Sequence, residues 1–464
     1  MEKRSTTGQQ FEQHQILSPN RRSLSRFIQA FTLISLLTYP TIKAETLPIT
    51  GLPDSRLASF DALMTEFVQD RRVPGGSLAI ARNGRLIYAR GFGWANEKKG
   101  EAVRPDSRFR IASISKPITA AAVLKLAQEG KLDLSSRAWH QLPESARPAD
   151  DLVADERVRA ITIQQLLHHT AGFDRQVSFD PMFRSRQIAQ ALGLNTRPTA
   201  SEILRYTLAR SLDFSPGSRY AYSNVGYNAL GRIIEETTQQ SYQQYCQEHI
   251  LRPLGITGMQ LGNTLAKGRA PGEVHYSSQG KKARSVFGPE ENAERVPLAY
   301  GAWDLEAMDA HGGWIASAPE LVRFGEYLLR SDLSPLSQAS LNTLHHAPSG
   351  PAGYDEEGSR RIVYYGCGWS IRHLPNGGVN RWHNGLLDGT ASLLVVKHDG
   401  MTWAALFNSR NGTGEKRRNL GGAIDSLLHR AASEVKQWPK HKNLFPLYLS
   451  PPSSESAGGP SPEI

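Results

Sequence analysis

The sequence predicts an α/β (α+β) fold: an antiparallel sheet of five or more strands, flanked by helices, with a mostly helical domain inserted between the strands. A β-hairpin pattern stands near the start of the chain, a long helical stretch occupies its middle, and short β patterns separated by turns stand near its end. Because strands from both ends must share a sheet to bury their apolar faces, the helical stretch becomes an insertion. A chain of 464 residues suffices for one large domain or two closely packed ones.

The first segment has the features of a targeting signal. Arg21, Arg22 and Arg26 precede an apolar run over residues 27–39, and Ala44 offers a small residue at a cleavage point. Residues 20–24 also resemble a twin-arginine signal. We therefore expect residues 1–44 to be a signal segment and the protein to be periplasmic or secreted. An uncleaved membrane anchor is the alternative, although the run is shorter than the ~20 residues that a span needs.

The hairpin follows a first helix, which the pattern predicts over residues 55–70. The β-rich residues 77–81 and 86–88 flank Asn83-Gly84, and Asn-Gly between two such runs is a strong hairpin signal. Residues 118–129 then form an Ala/Leu/Lys-rich helix that ends at Gly130. Since Pro117 is best tolerated near a helix start, we expect this helix to begin close to Ser113.

The rest of the chain divides into a helical part, a strand-rich part and a tail. Within residues 131–300, short helices are predicted at 163–167, 201–212, 225–239 and 242–250, with a long polar loop at 264–297. A helix at 319–329 then precedes strands near 369–371, 381–383, 391–397 and 401–408 and a last helix near 415–435. We expect one domain over residues 45–435, with a sheet subdomain (about 55–110 and 300–435) and a helical subdomain (about 117–299). Residues 436–464 are expected to be a tail that is disordered at its end.

Composition and charge limit the partners. The formal net charge is +10, but no dense Lys/Arg cluster interleaved with aromatic residues follows the first segment, so we expect no nucleic-acid partner. The mild basicity favours proximity to an anionic cell wall or membrane surface. Cys246 and Cys367 stand in apolar patterns, which favours two buried free thiols over a disulfide. His168, His169 and His311 lack the spacing of a known metal-ligand set, and the oligomeric state is not indicated.

Ser113 and Lys116 form the first candidate pair for catalysis. Residues three apart at a helix start lie on one face, so the hydroxyl and the amine can meet. A serine hydroxyl is a weak nucleophile until a base takes its proton, and a lysine desolvated in a cleft has the lowered pKa that such a base needs. The helix start also supplies N–H groups for a developing oxyanion. A serine that caps a surface helix would give the same pair.

Two further pairs stand later in the chain. Tyr222 and Asn224 are two apart, so in an extended segment they face the same side. A tyrosine near cations can relay a proton, and an amide can bind both a substrate carbonyl and a lysine. His383 and Gly385 lie on a predicted strand, where the glycine would leave one face open to a ligand backbone. A packed tyrosine in a turn and a surface histidine beside a bend are the simpler alternatives.

The order of these sets is more specific than any one of them. Ser113-Ile114-Ser115-Lys116, Tyr222-Ser223-Asn224 and His383-Asn384-Gly385 stand at a helix start, in a loop of the helical region and on a strand of the terminal sheet. In this the chain resembles the serine β-lactamase/DD-peptidase superfamily, especially its class C β-lactamase, D-alanyl-D-alanine carboxypeptidase and family VIII-type esterase branch, which carries S-x-x-K, Y-x-N and a K/H-T-G-like triplet. The segments 73–76, 109–113, 166–172, 253–255 and 312–317 also look like family landmarks, so the resemblance covers roughly residues 55–435.

The resemblance implies a mechanism and a set of site residues. Ser113 would attack an acyl carbonyl and form an acyl-enzyme, while Lys116 and Tyr222 would share its proton and pass it to the leaving group. Asn224 would orient the substrate and Lys116, and the backbone N–H groups of Ser113 and Leu386 would form the oxyanion hole. Water would then release the acyl group from a small-molecule or peptide substrate, with no metal or cofactor.

Departures from the family pattern bear on the activity. His383 stands where β-lactamases have a lysine, Asn384 stands where they have a threonine, and Leu386 replaces a small polar residue. A histidine is only partly charged at neutral pH. We therefore expect an exported serine hydrolase that acts on an ester or amide, as an esterase or a D-amino-acid peptidase does. The alternatives are a β-lactamase and, in another class, a non-catalytic penicillin-type sensor or wall-binding scaffold.

Overall fold

The computed structural model describes residues 47–288, 293–330, 332–413 and 419–451. Its strands are β1 (Ile49–Thr50), β2 (Gly75–Arg82), β3 (Arg85–Asn96), β4 (Glu101–Ala102), β5 (Phe109–Arg110), β6 (Gln260–Leu261), β7 (Lys282–Arg284), β8 (Arg295–Pro297), β9 (Trp314–Ala316), β10 (Val363–Tyr365), β11 (Ser370–His373), β12 (Val379–Leu387), β13 (Thr390–Val396) and β14 (Met401–Phe407). Its helices are α1 (Ala58–Asp70), α2 (Ser115–Gln128), α3 (Ala138–Gln141), α4 (Ile163–Leu167), α5 (Ser185–Ala191), α6 (Ala200–Leu208), α7 (Asn224–Thr238), α8 (Tyr242–Cys246), α9 (Asp309–Gly312), α10 (Ala318–Arg330), α11 (Gln338–Leu344), α12 (Leu420–Ser433) and α13 (Phe445–Tyr448).

The main sheet is antiparallel and joins strands from both ends of the chain. Its order is β1-β3-β2-β14-β13-β12-β11-β10, and β4 pairs with the end of β3. At the junction of the two halves, β2 pairs with β14 in a register that sets Gly76 opposite Phe407 and Arg82 opposite Met401. The predicted sheet, its hairpin and its meander are therefore confirmed.

Helices cover both faces of this sheet, because alternate side chains of its central strands point to opposite sides. Leu78 and Ile80 of β2 belong to a core that includes residues of α1 and α12, and Ala79 and Ala81 belong to a second core that includes α2 and α10. The central strands are buried on both sides and have continuous apolar runs instead of alternation, which is why length and turn signals had to identify them.

The helical part is built around α7, which is buried over residues 224–234 and contacts α2, α4 and α9. A capping box at Thr162 and Gln165 starts α4, and another at Thr199 and Glu202 starts α6. Ser113 lies in the turn that leads into α2, Lys116 lies in the first turn of α2, and α7 begins at Asn224. The packing of these two helices therefore brings the two predicted pairs to one place.

Several element boundaries differ from the predicted ones. Helix α6 ends at Leu208 instead of residue 212, because the carbonyl of Ala209 accepts a hydrogen bond from Ala154 outside the helix. The helix predicted over 242–250 changes at Gln247 into a π-helical turn. Asn419 caps α12, which therefore begins at Leu420 and not near residue 415. The predicted loop at 264–297 contains the pair β7 and β8.

The described chain continues in ordered contact beyond residue 435, where we predicted the domain to end. Leu444 and Phe445 are buried in the core, and the Leu444 N–H donates to the carbonyl of Leu86 over 2.8 Å. Residues 436–451 are thus packed on the sheet, because they bring their own apolar side chains. The predicted disordered end lies outside the described residues, as does the predicted signal segment at 1–44.

Both cysteines are buried, as predicted, and both are free thiols. Burial raises the pKa of the Cys367 thiol to about 12, so it remains protonated at neutral pH. Within the ranges that the structure describes, no helix is long and apolar enough to cross a membrane.

Candidate active site

The turn before Ser113 contains a residue in a strained backbone conformation. Ala112 has φ of 49°, in the left-handed region that a residue with a Cβ rarely adopts. Its neighbour Ile111 is held on two sides: its N–H donates to the Trp314 carbonyl over 3.0 Å, and its carbonyl accepts from Ser392 Oγ over 2.7 Å. Ser113 follows in a short 3-10 turn that leads into α2. Contacts with β9 and β13 therefore hold the serine in this turn.

Lys116 is fully buried and faces Ser113. Its Nζ lies 3.2 Å from Ser113 Oγ, 2.8 Å from Asn224 Oδ1 and 2.9 Å from the His311 carbonyl oxygen. Burial holds the pKa of the Lys116 amine well below its ordinary value. A neutral amine has two N–H donors and one lone pair. With the two carbonyl-type oxygens accepting the donors, the lone pair is left for the Ser113 hydroxyl.

Asn224 connects Lys116 to a carboxylate that the sequence analysis missed. Its Nδ2 donates to Asp180 Oδ2 over 2.5 Å, while its Oδ1 accepts from Lys116. Because an ionised carboxylate only accepts hydrogen bonds, Asp180 fixes which end of the amide faces the lysine. Burial raises the pKa of Asp180 above its ordinary value, but hydrogen bonds from Asn224 and the Met182 N–H favour the ionised form.

Tyr222 lines the same cleft as Ser113 and lies among other aromatic rings. Its ring centroid is 4.3 Å from that of His169, and the Lys116 Nζ is 4.8 Å from the Tyr222 centroid. Burial raises the pKa of the Tyr222 hydroxyl above its ordinary value, in spite of the nearby cations. The Arg175 guanidinium lowers this pKa, but desolvation is the larger effect.

His383 is close to Tyr222 but is not a cation. Its Nε2 lies 3.0 Å from Tyr365 Oη, and its Nδ1 lies 2.8 Å from the Asn384 carbonyl oxygen. Burial, followed by the proximity of Lys116, lowers the pKa of His383 to about 3. The expected partial charge at neutral pH is therefore corrected: a buried imidazole beside a lysine stays neutral.

Gly385 meets the chain's own backbone instead of open space. A Cβ built on it would lie 2.0 Å from the Ile111 carbonyl oxygen and 2.1 Å from Ser392 Oγ. The idea that this glycine opens the strand to a ligand is corrected, since it allows β12 to approach the turn before Ser113. Leu386, the next residue, does line the cleft that contains Ser113.

The cleft has a volume of about 840 Å³ and brings most of the predicted residues together. Its lining includes Ser113, Tyr222, Asn224, His383 and Leu386, and it also includes Arg175, Asp180, Tyr365 and Arg410. Lys116 lies beneath this surface. Asn384 Oδ1 is buried there without a hydrogen-bond partner among the described residues.

The added residues come from segments that carried no spacing signal. Arg175 and Asp180 stand in the connection from α4 to α5, and Asp180 could be recognised only as a cap before Pro181. His169, whose Nδ1 accepts from the Ser223 N–H over 3.2 Å, holds Tyr222 in place by packing against it.

The three histidines considered as metal ligands lie in separate surroundings. His168 Nε2 is 3.6 Å from the Cys367 sulfur, His169 packs on tyrosines, and His311 offers its backbone carbonyl to Lys116. Among the described residues, no group of three or more His, Cys, Asp or Glu side chains could hold a metal ion.

Comparison with known proteins identifies the family of this chain and several solved structures of similar fold. A family model described as Beta-lactamase matches residues 60–426. Protein flp of Staphylococcus aureus (strain MW2) is 29% identical over 249 residues, which cover 54% of this chain and 47% of that protein. The chain thus matches about half the length of this relative.

Solved structures are similar over more of the chain. A D-stereospecific amidohydrolase from Streptomyces sp. is 26% identical with a TM-score of 0.54, over 77% of this chain and 95% of that one. D-amino acid amidase from Ochrobactrum anthropi SV3 is 20% identical with a TM-score of 0.61, over 82% and 99% of the two chains. The likeness to this amidase, at such low identity, concerns the fold alone.

Proposed function

Because this chain belongs to the beta-lactamase family of serine acyl-enzyme hydrolases, we propose that it hydrolyses an ester or amide through an acyl-enzyme formed on Ser113. The observation that carries the proposal is the position of Lys116, whose Nζ lies 3.2 Å from Ser113 Oγ while two oxygens accept its N–H groups. A neutral lysine in that position is a general base ready for the serine proton.

Acylation begins with attack of Ser113 Oγ on the substrate carbonyl carbon. The hydroxyl proton moves to Lys116 Nζ, and the carbonyl oxygen takes the negative charge in the hole formed by the N–H groups of Ser113 and Leu386. Tyr222, which keeps its proton at rest, donates that proton to the leaving group as the acyl bond breaks. The proton held by Lys116 then replaces it.

Deacylation reverses these transfers with water as the nucleophile. Water attacks the acyl carbon, gives one proton to the same pair and releases the acid, and Ser113 Oγ recovers a proton. The balance is one ester or amide and one water consumed, with one acid and one alcohol or amine released. Each transfer runs between the neighbouring groups Ser113, Lys116 and Tyr222.

The substrate is proposed to be an ester or an amide of the kind cut by esterases and D-amino-acid peptidases, and not a β-lactam. The neutral state of His383 supports this, because the wall formed by β12 then offers no cation to a substrate carboxylate at that position. The Streptomyces relative named above is a D-stereospecific amidohydrolase by its title, which is consistent with this substrate class.

The test combines labelling with turnover. We expect a fluorophosphonate to add once to the folded protein, at Ser113, and p-nitrophenyl acetate to be hydrolysed. In Ser113→Ala both signals should fall to background, whereas Ser135→Ala on the exposed surface should keep them.

Other outcomes separate the alternatives. A folded wild type that neither reacts nor turns over would point to a non-catalytic sensor or scaffold. A kcat/KM for a chromogenic cephalosporin well above that for the ester would point to a β-lactamase.

We also propose that the protein is exported, on the basis of the arginines and apolar run within residues 1–44. Cell fractionation with sequencing of the mature N-terminus tests this. Recovery of the full-length chain from the cytoplasm alone would contradict export.

A further inference from the structure

We propose that Arg175 forms an anion-binding subsite in the cleft and selects substrates whose leaving group carries a carboxylate. This inference rests on the proposed hydrolase function and adds to it the chemistry of the group that departs. The subsite lies on the loop between α4 and α5, a different segment from the strand β12 that carries His383.

Arg175 stands beside the reacting groups. It lines the same cleft as Ser113, and its guanidinium carbon lies 4.9 Å from the centroid of the Tyr222 ring. Tyr222 is the proposed proton donor to the leaving group. An anion held by Arg175 would therefore be attached to the leaving group, a short distance from the atom that Tyr222 protonates.

The two carboxylates close to Arg175 interact with its charge but form their hydrogen bonds and ion pairs with other side chains. Asp174 Oδ2 pairs with Arg219 over 2.8 Å, and Asp180 Oδ2 accepts from Asn224 over 2.5 Å. Across the described residues, no carboxylate forms an ion pair with Arg175. Its planar set of N–H donors, which matches a carboxylate in bidentate geometry, is therefore available to a ligand.

Hydrogen bonds hold the loop that carries Arg175, so the backbone position of this residue is fixed. The Asp174 N–H donates to Asp213 Oδ2 over 2.6 Å, and the Gln176 N–H donates back to Asp174 Oδ1 over 2.9 Å. Phe179, which also lines the cleft and is 48% exposed, has φ of 63°. A bulky exposed side chain in the left-handed region is a costly conformation that concentrates at functional sites.

The charges of the cleft favour an anion over an ammonium group. The lining contains Arg175 and Arg410, and Arg410 is already paired with Asp388 over 3.2 Å. His383 is neutral, and Asp180 is buried behind Asn224. A substrate with a free amino group would meet a cation without a carboxylate partner, whereas a carboxylate would complete the pair.

A pair of matched esters tests the subsite. 3-Carboxy-4-nitrophenyl acetate and its methyl ester, 3-methoxycarbonyl-4-nitrophenyl acetate, release nitrophenolates that differ only in the charge of interest. The measured quantity is the ratio of kcat/KM for the carboxylate ester to that for the methyl ester, compared between variants so that intrinsic reactivity cancels.

In Arg175→Gln we expect this ratio to fall by roughly 10- to 100-fold, as expected for the loss of a charge-assisted pair. Arg175→Lys should lie between the two, because it keeps the charge without the bidentate geometry. Arg210→Gln is the control: it removes the same charge from the neighbouring helical surface, where Arg210 hydrogen-bonds to Tyr206, and should leave the ratio unchanged.

The outcomes separate the inference from the function on which it rests. A wild type that hydrolyses neither ester nor p-nitrophenyl acetate would refute the hydrolase itself. A wild type that hydrolyses the esters, with the same ratio in Arg175→Gln, would refute the subsite and leave the hydrolase standing. Turnover of the methyl ester by Arg175→Gln shows that this variant folds.

Discussion

At the scale of single residues, burial sets the protonation of the groups around Ser113. It lowers the pKa of Lys116 and His383 and raises that of Tyr222, and in each case the shift favours the neutral form. The buried carboxyl group nearest to Lys116 is that of Asp180, which is linked to Lys116 through the Asn224 amide. Proton transfer can then begin without first separating an ion pair in a dry site.

Replacement of Asp180 by asparagine should change the pH profile. The negative charge raises the pKa of Lys116, so its removal should lower that pKa further. Since Lys116 acts as a base above its pKa, the acid limb of kcat/KM should move to lower pH. The plateau should fall by about 10-fold or more, because an amide at position 180 can donate as well as accept and no longer fixes which end of Asn224 faces Lys116.

The control for this change is Asp151→Asn, which removes an exposed carboxylate far along the helical part and should leave the profile as in the wild type. The measurement is kcat/KM for p-nitrophenyl acetate across the pH range in which the protein remains folded. An acid limb that stays in place in Asp180→Asn would mean that Asp180 only supports the fold.

At the scale of elements, the site depends on the contact between β12 and the turn before Ser113. Gly385 is the point of closest approach, with the Ile111 carbonyl where its Cβ would be. Arg110, one residue earlier, is fully buried and donates to the carbonyls of Ala299 and Asn263 over 2.6 Å each. The polar loop at 264–297 and its flanks thus help to fix the strand that leads to the nucleophile.

A methyl group at Gly385 should therefore affect both stability and catalysis. We expect Gly385→Ala to lower the free energy of unfolding by about 1–3 kcal/mol, because the strand must move away from Ile111. Displacement of Ser113 should lower kcat more than it changes KM. Gly422→Ala, in α12 with nothing within 4 Å of the added Cβ, should instead be neutral or slightly stabilising.

Denaturant unfolding and steady-state kinetics of the two glycine variants provide the comparison. Equal free energies of unfolding for Gly385→Ala and the wild type would show that the turn before Ser113 can move to accommodate a methyl group. That result would contradict a rigid position for Ser113.

Elements could be predicted where the sequence carries a local signal, and not where the signal is tertiary. Asn83-Gly84 predicts the hairpin and Pro117 places the start of α2, because turn and helix geometry are local. No local sequence signal predicts the change to a π-helical turn at Gln247. Arg175 and Asp180 join the site because their connection folds against α7, a contact that spacing along the chain cannot reveal.

At the scale of the molecule, the described chain from Leu47 onward forms a single compact unit that includes the segment after α12. Phe445 is completely buried, with the Arg323 guanidinium 4.5 Å from its ring centroid and the Tyr327 ring 5.8 Å away. The segment after α12 therefore covers one edge of the core next to α10. We predicted it to be a tail because the Pro/Ser/Gly-rich residues 451–464 follow it.

Truncation of Phe445 should destabilise the whole domain without changing the site. We expect Phe445→Ala to cost about 3–5 kcal/mol, the usual range for a buried aromatic side chain, with kcat/KM unchanged at low temperature. Leu447→Ala, two residues along and 61% exposed, should lie within about 0.5 kcal/mol of the wild type. A loss in Phe445→Ala no larger than that in Leu447→Ala would show that this segment is dispensable.

The pairing of β2 with β14 can form only late in translation, because the two strands are far apart in the sequence. The hairpin of β2 and β3 emerges early from the ribosome, but the strand that covers the second edge of β2 ends at Phe407. At the usual ~5–20 residues per second, that edge waits roughly 15 to 65 seconds for its partner. An open, apolar strand edge is a template for aggregation during such an interval. The edge is removed only when β14 pairs with β2, after almost the whole domain has been synthesised.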